Sequence, residues 1–137
     1  MTKLLDKIEN GEITLKWKSW DFGGGRDYGD WTTYEMFKDG KLYGTLESNW
    51  RNGFSAEING EQAFSDVDDK EIKERAWEIL HMALARDDKE FVAMCPVDGN
   101  VDFVEPCGYE DINREQVMSG EWKDIYNEYE GPEILGV

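Results

Sequence analysis

Trp31-Thr32-Thr33-Tyr34-Glu35-Met36-Phe37-Lys38-Asp39-Gly40-Lys41-Leu42-Tyr43-Gly44-Thr45-Leu46-Glu47 decides the fold class. Both halves, Trp31–Lys38 and Lys41–Glu47, are rich in β-branched and aromatic residues, the composition of a pleated, half-buried surface. Asp39-Gly40 sits between them. A type I′ turn needs φ > 0 at two successive residues, and Asp-Gly supplies both at low cost. The stretch therefore predicts an antiparallel hairpin.

The same logic extends both ways. Upstream, Glu12–Trp20 alternates, with Ile13, Leu15 and Trp17 on one face and Thr14, Lys16 and Lys18 on the other. That is the period of a strand with one wet side. Asp21–Asp30, with Gly23, Gly24, Gly25 and Gly29, reads as a loop. Downstream, Asn52-Gly53 is a turn candidate, Phe54–Ile58 alternates, and Asn59-Gly60 leads into a short return strand, Glu61–Phe64. Residues 12–64 thus predict a meander of four or five antiparallel strands.

Helices flank the meander. In Thr2–Asn10, Leu4, Leu5 and Ile8 share a face and Gly11 ends it. In 66–86, Ile72, Ala76, Ile79, Leu80 and Ala83 recur at helical spacing. Ser65 with Asp68 fits a capping box, and Asp66, Asp68 and Asp69 suit the positive end of the helix dipole. Such a helix is roughly 27–30 Å long and covers most of a four-stranded sheet. Phe91–Cys95 and Val101–Val104 predict a second hairpin over 90–105, turning at Pro96–Asn100. Residues 110–130 predict an acidic helical segment: a short helix at Glu110–Ser119, then Glu121–Glu130 with Trp122, Ile125, Tyr126 and Tyr129 at i, i+3, i+4 and i+7. Gly131–Val137 is a tail. The expectation is one α+β domain over 1–137, a four- to six-stranded antiparallel sheet packed by one long central helix, with an amphipathic helix near the C-terminus.

Composition narrows function. The 137 residues carry 31 Asp+Glu against 15 Lys+Arg, for a net charge of −16. An autonomous nucleic-acid binder needs a basic footprint, and an anionic membrane surface repels such a chain. Six Trp, six Tyr and six Phe separate it from disordered acidic tails. No apolar run reaches the roughly 18–20 residues of a spanning helix, and Met1–Ile8 lacks the apolar core of a signal peptide. The expected location is the cytoplasm, where Cys95 and Cys107 would be free thiols. With His81 they are too few for a structural zinc site without carboxylates.

No motif names a reaction. Gly23-Gly24-Gly25-Arg26 lacks the following helix and the Gly-Lys-Ser/Thr of a phosphate loop. Asp98-Gly99-Asn100-Val101-Asp102 matches the start of a calcium loop, but Phe103 stands where Gly is required and Tyr109 where the bidentate Glu is. A β-turn fits it better. Cys107 lies among acids, which disfavour a thiolate, and His81 reads as a helix-face residue with a satisfied hydrogen bond. Trp17, Trp20, Trp31 and Trp50 could line a sugar platform beside paired carboxylates, although strand aromatics are usually core. The expectation is a non-enzymatic protein with no cofactor and no metal.

Charge is distributed unevenly. Residues 87–137 hold fourteen acids and three cations, a net charge of −11, with Phe91, Phe103, Tyr109, Trp122, Tyr126 and Tyr129 interleaved. Carboxylates fixed on a folded surface repel one another and suit a basic partner. The candidate partner-binding acids are Asp98, Asp102, Glu105, Glu110, Asp111, Glu115, Glu121, Asp124, Glu128 and Glu130. In this character, carried by the acidic run from Asp87 to Glu133, the chain resembles phage-type anti-CRISPR and DNA-mimic inhibitors, and also the small acidic immunity proteins that neutralise nuclease toxins. The resemblance implies a protein that fills the Lys/Arg groove of a nucleic-acid-handling enzyme, in the host cytoplasm if phage-encoded. The alternative is a small enzyme or ligand-binding domain with a Trp/carboxylate site on its sheet.

Overall fold

A computed structural model describes residues 1–21, 31–49, 53–94 and 112–121. Its elements are α1 (Thr2–Glu9), β1 (Thr14–Asp21), β2 (Trp31–Lys38), β3 (Lys41–Asn49), β4 (Gly53–Ile58), β5 (Glu61–Val67), α2 (Lys70–Asp87), α3 (Lys89–Met94), β6 (Ile112–Asn113) and α4 (Arg114–Ser119). The strands form one sheet of order β5-β4-β3-β2-β1-β6, antiparallel at every pairing. This is the α+β architecture that the turn chemistry predicts.

The turns act as their residues require. Asp39 and Gly40 have φ of 53° and 76°, and Asn59 and Gly60 have 53° and 82°. Both pairs match the right-handed twist of the strands they join. Register then follows, with Lys38 opposite Lys41 and Ile58 opposite Glu61. Alternation places Leu15, Trp17, Tyr34, Met36, Leu46 and Ala56 on the buried face.

Helices cover that face. α1 buries Leu4, Leu5 and Ile8, and α2 buries Ala76, Ile79, Leu80, Ala83 and Leu84. Trp77 of α2 meets Phe54 of β4 edge-on at 5.3 Å. Trp17 is stacked on Phe91 with centroids 4.7 Å apart and planes 8° apart. Fully burying a large apolar side chain is worth about 1.5–3 kcal/mol, so this stack anchors α3 to the sheet.

Four expectations are corrected. Helix α2 begins at Lys70, not at 66, because β5 runs on to Val67, which pairs with Phe54. Ser65 is therefore in a strand, and the cap is Asp69, whose side chain accepts from the Ile72 N–H at 3.1 Å. Of the strand expected at Phe91–Cys95, the described residues 91–94 are helical instead. Lys89–Met94 is helical, and Asp88 accepts from the Phe91 N–H at 3.3 Å, as a capping residue does three positions ahead. The helix expected at Glu110–Ser119 starts only at Arg114. Asn113 and Gln116 form a full capping box there, and Ile112–Asn113 add a sixth strand beside Ser19 and Trp20. The 22–30 loop, Asn52 of the third turn, the remainder of the 90–105 hairpin, and 122–137 lie outside the described residues.

One glycine is held by packing. A Cβ on Gly44 would run into the Glu57 carbonyl oxygen on the neighbouring strand. Gly44→Ala is expected to cost about 1–3 kcal/mol in urea unfolding, the scale of overpacking. Alanine at Gly40 meets no neighbour and costs only the left-handed backbone, about 1–2 kcal/mol.

Candidate functional site: carboxylates on and inside the sheet

The acids divide by what they touch. Arg86-Asp87-Asp88 ends α2 against β1. The Asp87 Oδ2 accepts from the Leu15 N–H at 3.1 Å, and the Asp88 Oδ2 accepts from the Trp17 N–H at 2.9 Å. These two carboxylates serve the outward side of β1 where β6, paired only at Ser19 and Trp20, does not reach. Arg114 closes the arrangement. Its Nη1 and Nη2 donate to Asp88 at 2.6 and 2.9 Å, and Nη1 also donates to the Trp17 carbonyl at 3.1 Å. The Asp88 side chain is 1% exposed. Its hydrogen bond to Asp88 raises the Arg114 pKa further above its ordinary value, against the opposing effect of burial.

Arg86 extends the seam to the first helix. It pairs with Asp87 through Nε and Nη2 at 2.6 and 2.7 Å, and donates to the carbonyls of Ile8 and Glu9 at 2.8 and 3.1 Å. Those carbonyls lie at the C-terminal end of α1, where a cation both fills open acceptors and meets the negative dipole end. Asp87 and Asp88, the first acids of the acidic run, are thus structural.

Of the ten candidate partner-binding acids, the structure places Glu115 and Glu121. Both are exposed, Glu115 in the first turn of α4 and Glu121 just beyond it. Glu90, with its side chain 76% exposed, stands 3.8 Å from Arg114, the residue before Glu115. Asp98, Asp102, Glu105, Glu110, Asp111, Asp124, Glu128 and Glu130 lie outside the described residues, as do Cys95, Cys107, Trp50 and the calcium-like stretch.

The sheet face that no described helix covers carries a second set that the sequence reading did not single out. Register aligns Lys16, Glu35, Thr45, Glu57 and Gln62 in one row across five strands. Beside it, Thr45, Glu47, Ser55, Glu57 and Gln62 line a shallow hollow of about 100 Å³. Partial burial pushes the Glu47 carboxyl above its usual range, helped by the charges of Asp21 and Glu57 and opposed by Lys18. Turn chemistry alone does not give this alignment: counting from Asp39-Gly40 would set Glu35 opposite Gly44, the irregularity between Met36 and Phe37 moves it to Thr45, and the Glu47–Ser55 pair lies across β3 and β4, which three residues, 50–52, join.

The tryptophan platform is corrected in part. Trp17 and Trp20 are fully buried on the helix-covered face, away from this hollow, and Trp31 is half-buried. His81 is half-buried on α2, its ring 6.0 Å from that of Trp77. Among the described residues no group of three or more His, Cys, Asp or Glu is placed to hold a metal, and no helix is long and apolar enough to cross a membrane.

The class defined by this geometry is an α+β domain, with a six-stranded antiparallel sheet that the described helices cover on one face. No family model, curated protein or solved structure matches the chain.

Two measurements test the assignments. Asp88→Ala removes acceptors from two backbone N–H groups and the partner of a part-buried Arg114, and is expected to cost about 3–5 kcal/mol of stability by urea titration. Glu47→Gln is expected to raise Tm at pH 7. A carboxyl whose folded pKa lies above its unfolded one favours the fold when protonated, and that contribution is lost as pH rises through the folded pKa. The variant's advantage should therefore vanish below the ordinary carboxyl range, near pH 3.

Proposed function

We propose that this protein is an acidic inhibitor that binds a basic nucleic-acid-handling protein, a CRISPR effector or nuclease, and blocks its nucleic-acid groove by charge mimicry without turnover. One observation carries the reading. Of the fourteen acids and three cations in 87–137, the seam uses Asp87, Asp88 and Arg114, so twelve carboxylates remain against Lys89 and Lys123. Within this stretch the acids exceed the cations that could neutralise them. Among the described residues, the acids beyond Asp87 and Asp88, namely Glu90, Glu115 and Glu121, are exposed, with Glu90 3.8 Å from Arg114.

The mechanism follows from electrostatics. A row of carboxylates on rigid elements offers the target's Lys and Arg side chains the anionic partners that phosphates would supply. Arg–carboxylate pairing can be bidentate and therefore geometrically selective. Long-range attraction speeds encounter, and the placement of Glu115 on α4 contributes register. Occlusion then needs no catalytic group. An immunity protein against a nuclease toxin would use the same chemistry, and only the identity of the target separates the two. The site of action in this reading is the cytoplasm.

A second reading has its own observation. The raised carboxyl of Glu47 beside Glu57 suits a small ligand on the open sheet face. Such a ligand would shift the amide resonances of Thr45, Ser55 and Gln62 and leave Glu115 and Glu121 untouched.

The test is affinity capture from the native host at low salt, followed by binding and inhibition assays with the captured enzyme. Affinity is expected to fall steeply with salt, since the Debye length shrinks from about 10 Å at 0.1 M to 3 Å at 1 M. Reversing Glu115, Glu121, Asp124 and Glu128 to Lys is expected to weaken binding at least about tenfold while leaving Tm within a few degrees. Salt-independent affinity, or a target without a basic groove, would falsify the proposal.

A further inference from the structure

One surface reverses the charge of the rest. Between α1 and the β3–β5 end of the sheet runs an open groove of about 220 Å³, lined by Lys3, Leu4, Lys7, Tyr43, Ile58 and Phe64 among others. A second hollow of about 290 Å³ adjoins it through Tyr43 and is lined by Lys38, Asp39, Lys41, Leu42 and Asn59. Four lysines thus rim these two surfaces, and Asp39 is the single carboxylate lining either of them. Across the chain, acids outnumber cations by about two to one. Among the described residues, Lys38 reaches Glu12 at 3.8 Å, while Lys3, Lys7 and Lys41 form no ion pair.

The floor is apolar. Tyr43, Ile58 and Phe64 are only partly buried, packed against the edge of the core, and Leu42 is 58% exposed. Apolar area ringed by one sign of charge is the composition of a docking site rather than of a solvated exterior. We propose that this lysine-rimmed groove binds an acidic amphipathic helix of a partner protein, whose apolar stripe lies on Leu42, Tyr43 and Phe64 and whose carboxylates meet Lys3, Lys7 and Lys41.

Two observations choose that occupant. The adjacent sheet edge does not suit an added strand. β5 carries two irregularities in its register with β4, and a bulged edge breaks the even row of N–H and C=O groups on which another strand pairs. Docking must then run through side chains, as a helix in a groove does. A second copy of the chain is disfavoured by the repulsion between two molecules of net charge −16. The inference is independent of the inhibitor reading, because the acids assigned to that role lie on other segments.

The experiment uses the full chain, isotope-labelled, and two synthetic helical peptides. One carries Leu and Phe at i, i+3, i+4 and i+7 with Glu elsewhere, and the other has Lys at every Glu position. The Glu peptide is expected to shift the amides of Leu4, Lys7, Leu42, Tyr43 and Phe64. The double variant Lys3→Glu/Lys7→Glu is expected to weaken it about tenfold. Lys16→Glu/Lys18→Glu, on the opposite sheet face, should leave its affinity unchanged. The proposal is overturned if the Lys peptide binds as well, if the shifts map to Thr45, Ser55 and Gln62, if neither peptide binds, or if sedimentation shows that the groove is filled by self-association. Retained binding to the basic target by Lys3→Glu/Lys7→Glu separates this site from the inhibitory one.

Discussion

The structure depends on how strand β1 is completed. A strand presents backbone donors on both sides, and those turned from β2 need acceptors once helices bury that margin. Strand β6 is too short to supply them at Leu15 and Trp17. Asp87 and Asp88 do so from the end of α2, with two carboxylates standing where carbonyls of a longer strand would be. Carboxylates can hold this position because Arg86 and Arg114 neutralise them and because each accepts more than one hydrogen bond. The geometry ties α1, α2, α3, α4 and β1 together through three consecutive charges, Arg86, Asp87 and Asp88, and one distant arginine, Arg114. It also closes that edge to further strand pairing.

This arrangement separates two meanings of acidic character. Asp87 and Asp88 contribute to the charge count as fully as Glu115 or Glu121, yet they are not available to a partner. The cost of burying them has already been offset by Arg86, Arg114 and the N–H donors. Glu90 lies between the two groups, near enough to Arg114 to interact and exposed enough to turn outward. A sequence-wide charge profile therefore overstates the acids that can meet a target. The interface proposed here starts beyond the seam.

What was legible in the sequence was local. Asp39-Gly40 and Asn59-Gly60 announce their hairpins because the left-handed backbone they need is a property of two adjacent residues. The stripe Ile72, Ala76, Ile79, Leu80 and Ala83 announces α2 because one helix repeats every 3.6 residues. The misreadings arose where a distant contact overrode local preference. Phe91–Cys95 has the composition of a strand, but Asp88 caps the segment as a helix and Trp17, more than seventy positions away, receives the Phe91 ring. Ser65 looked like a helix cap because Asp68 follows it, but the bulged strand β5 extends through it to pair with Phe54. The pair β1–β6 joins Trp20 to Ile112, and no pattern in either segment foretells a partner so far along the chain. The site was legible to a lesser degree. Composition identified the acids, but only the register places Glu35, Glu47 and Glu57 on the open face.

Charge segregation is the last consequence of the same packing. Because α1 is pinned to β1 through Arg86 and Asp87, its Lys3 and Lys7 are held over the β3–β5 end of the sheet. Were α1 free, those lysines would be drawn toward the abundant carboxylates and neutralised on the surface. Holding them beside Tyr43, Ile58 and Phe64 preserves a cationic, apolar margin on a chain of net charge −16. Under the two proposals made above, a basic groove and an acidic helix would not compete for the same residues, so one small rigid domain would serve both partners. The rigidity that makes this possible traces back to Asp87 and Asp88 beneath β1, and to the arginines that hold them there.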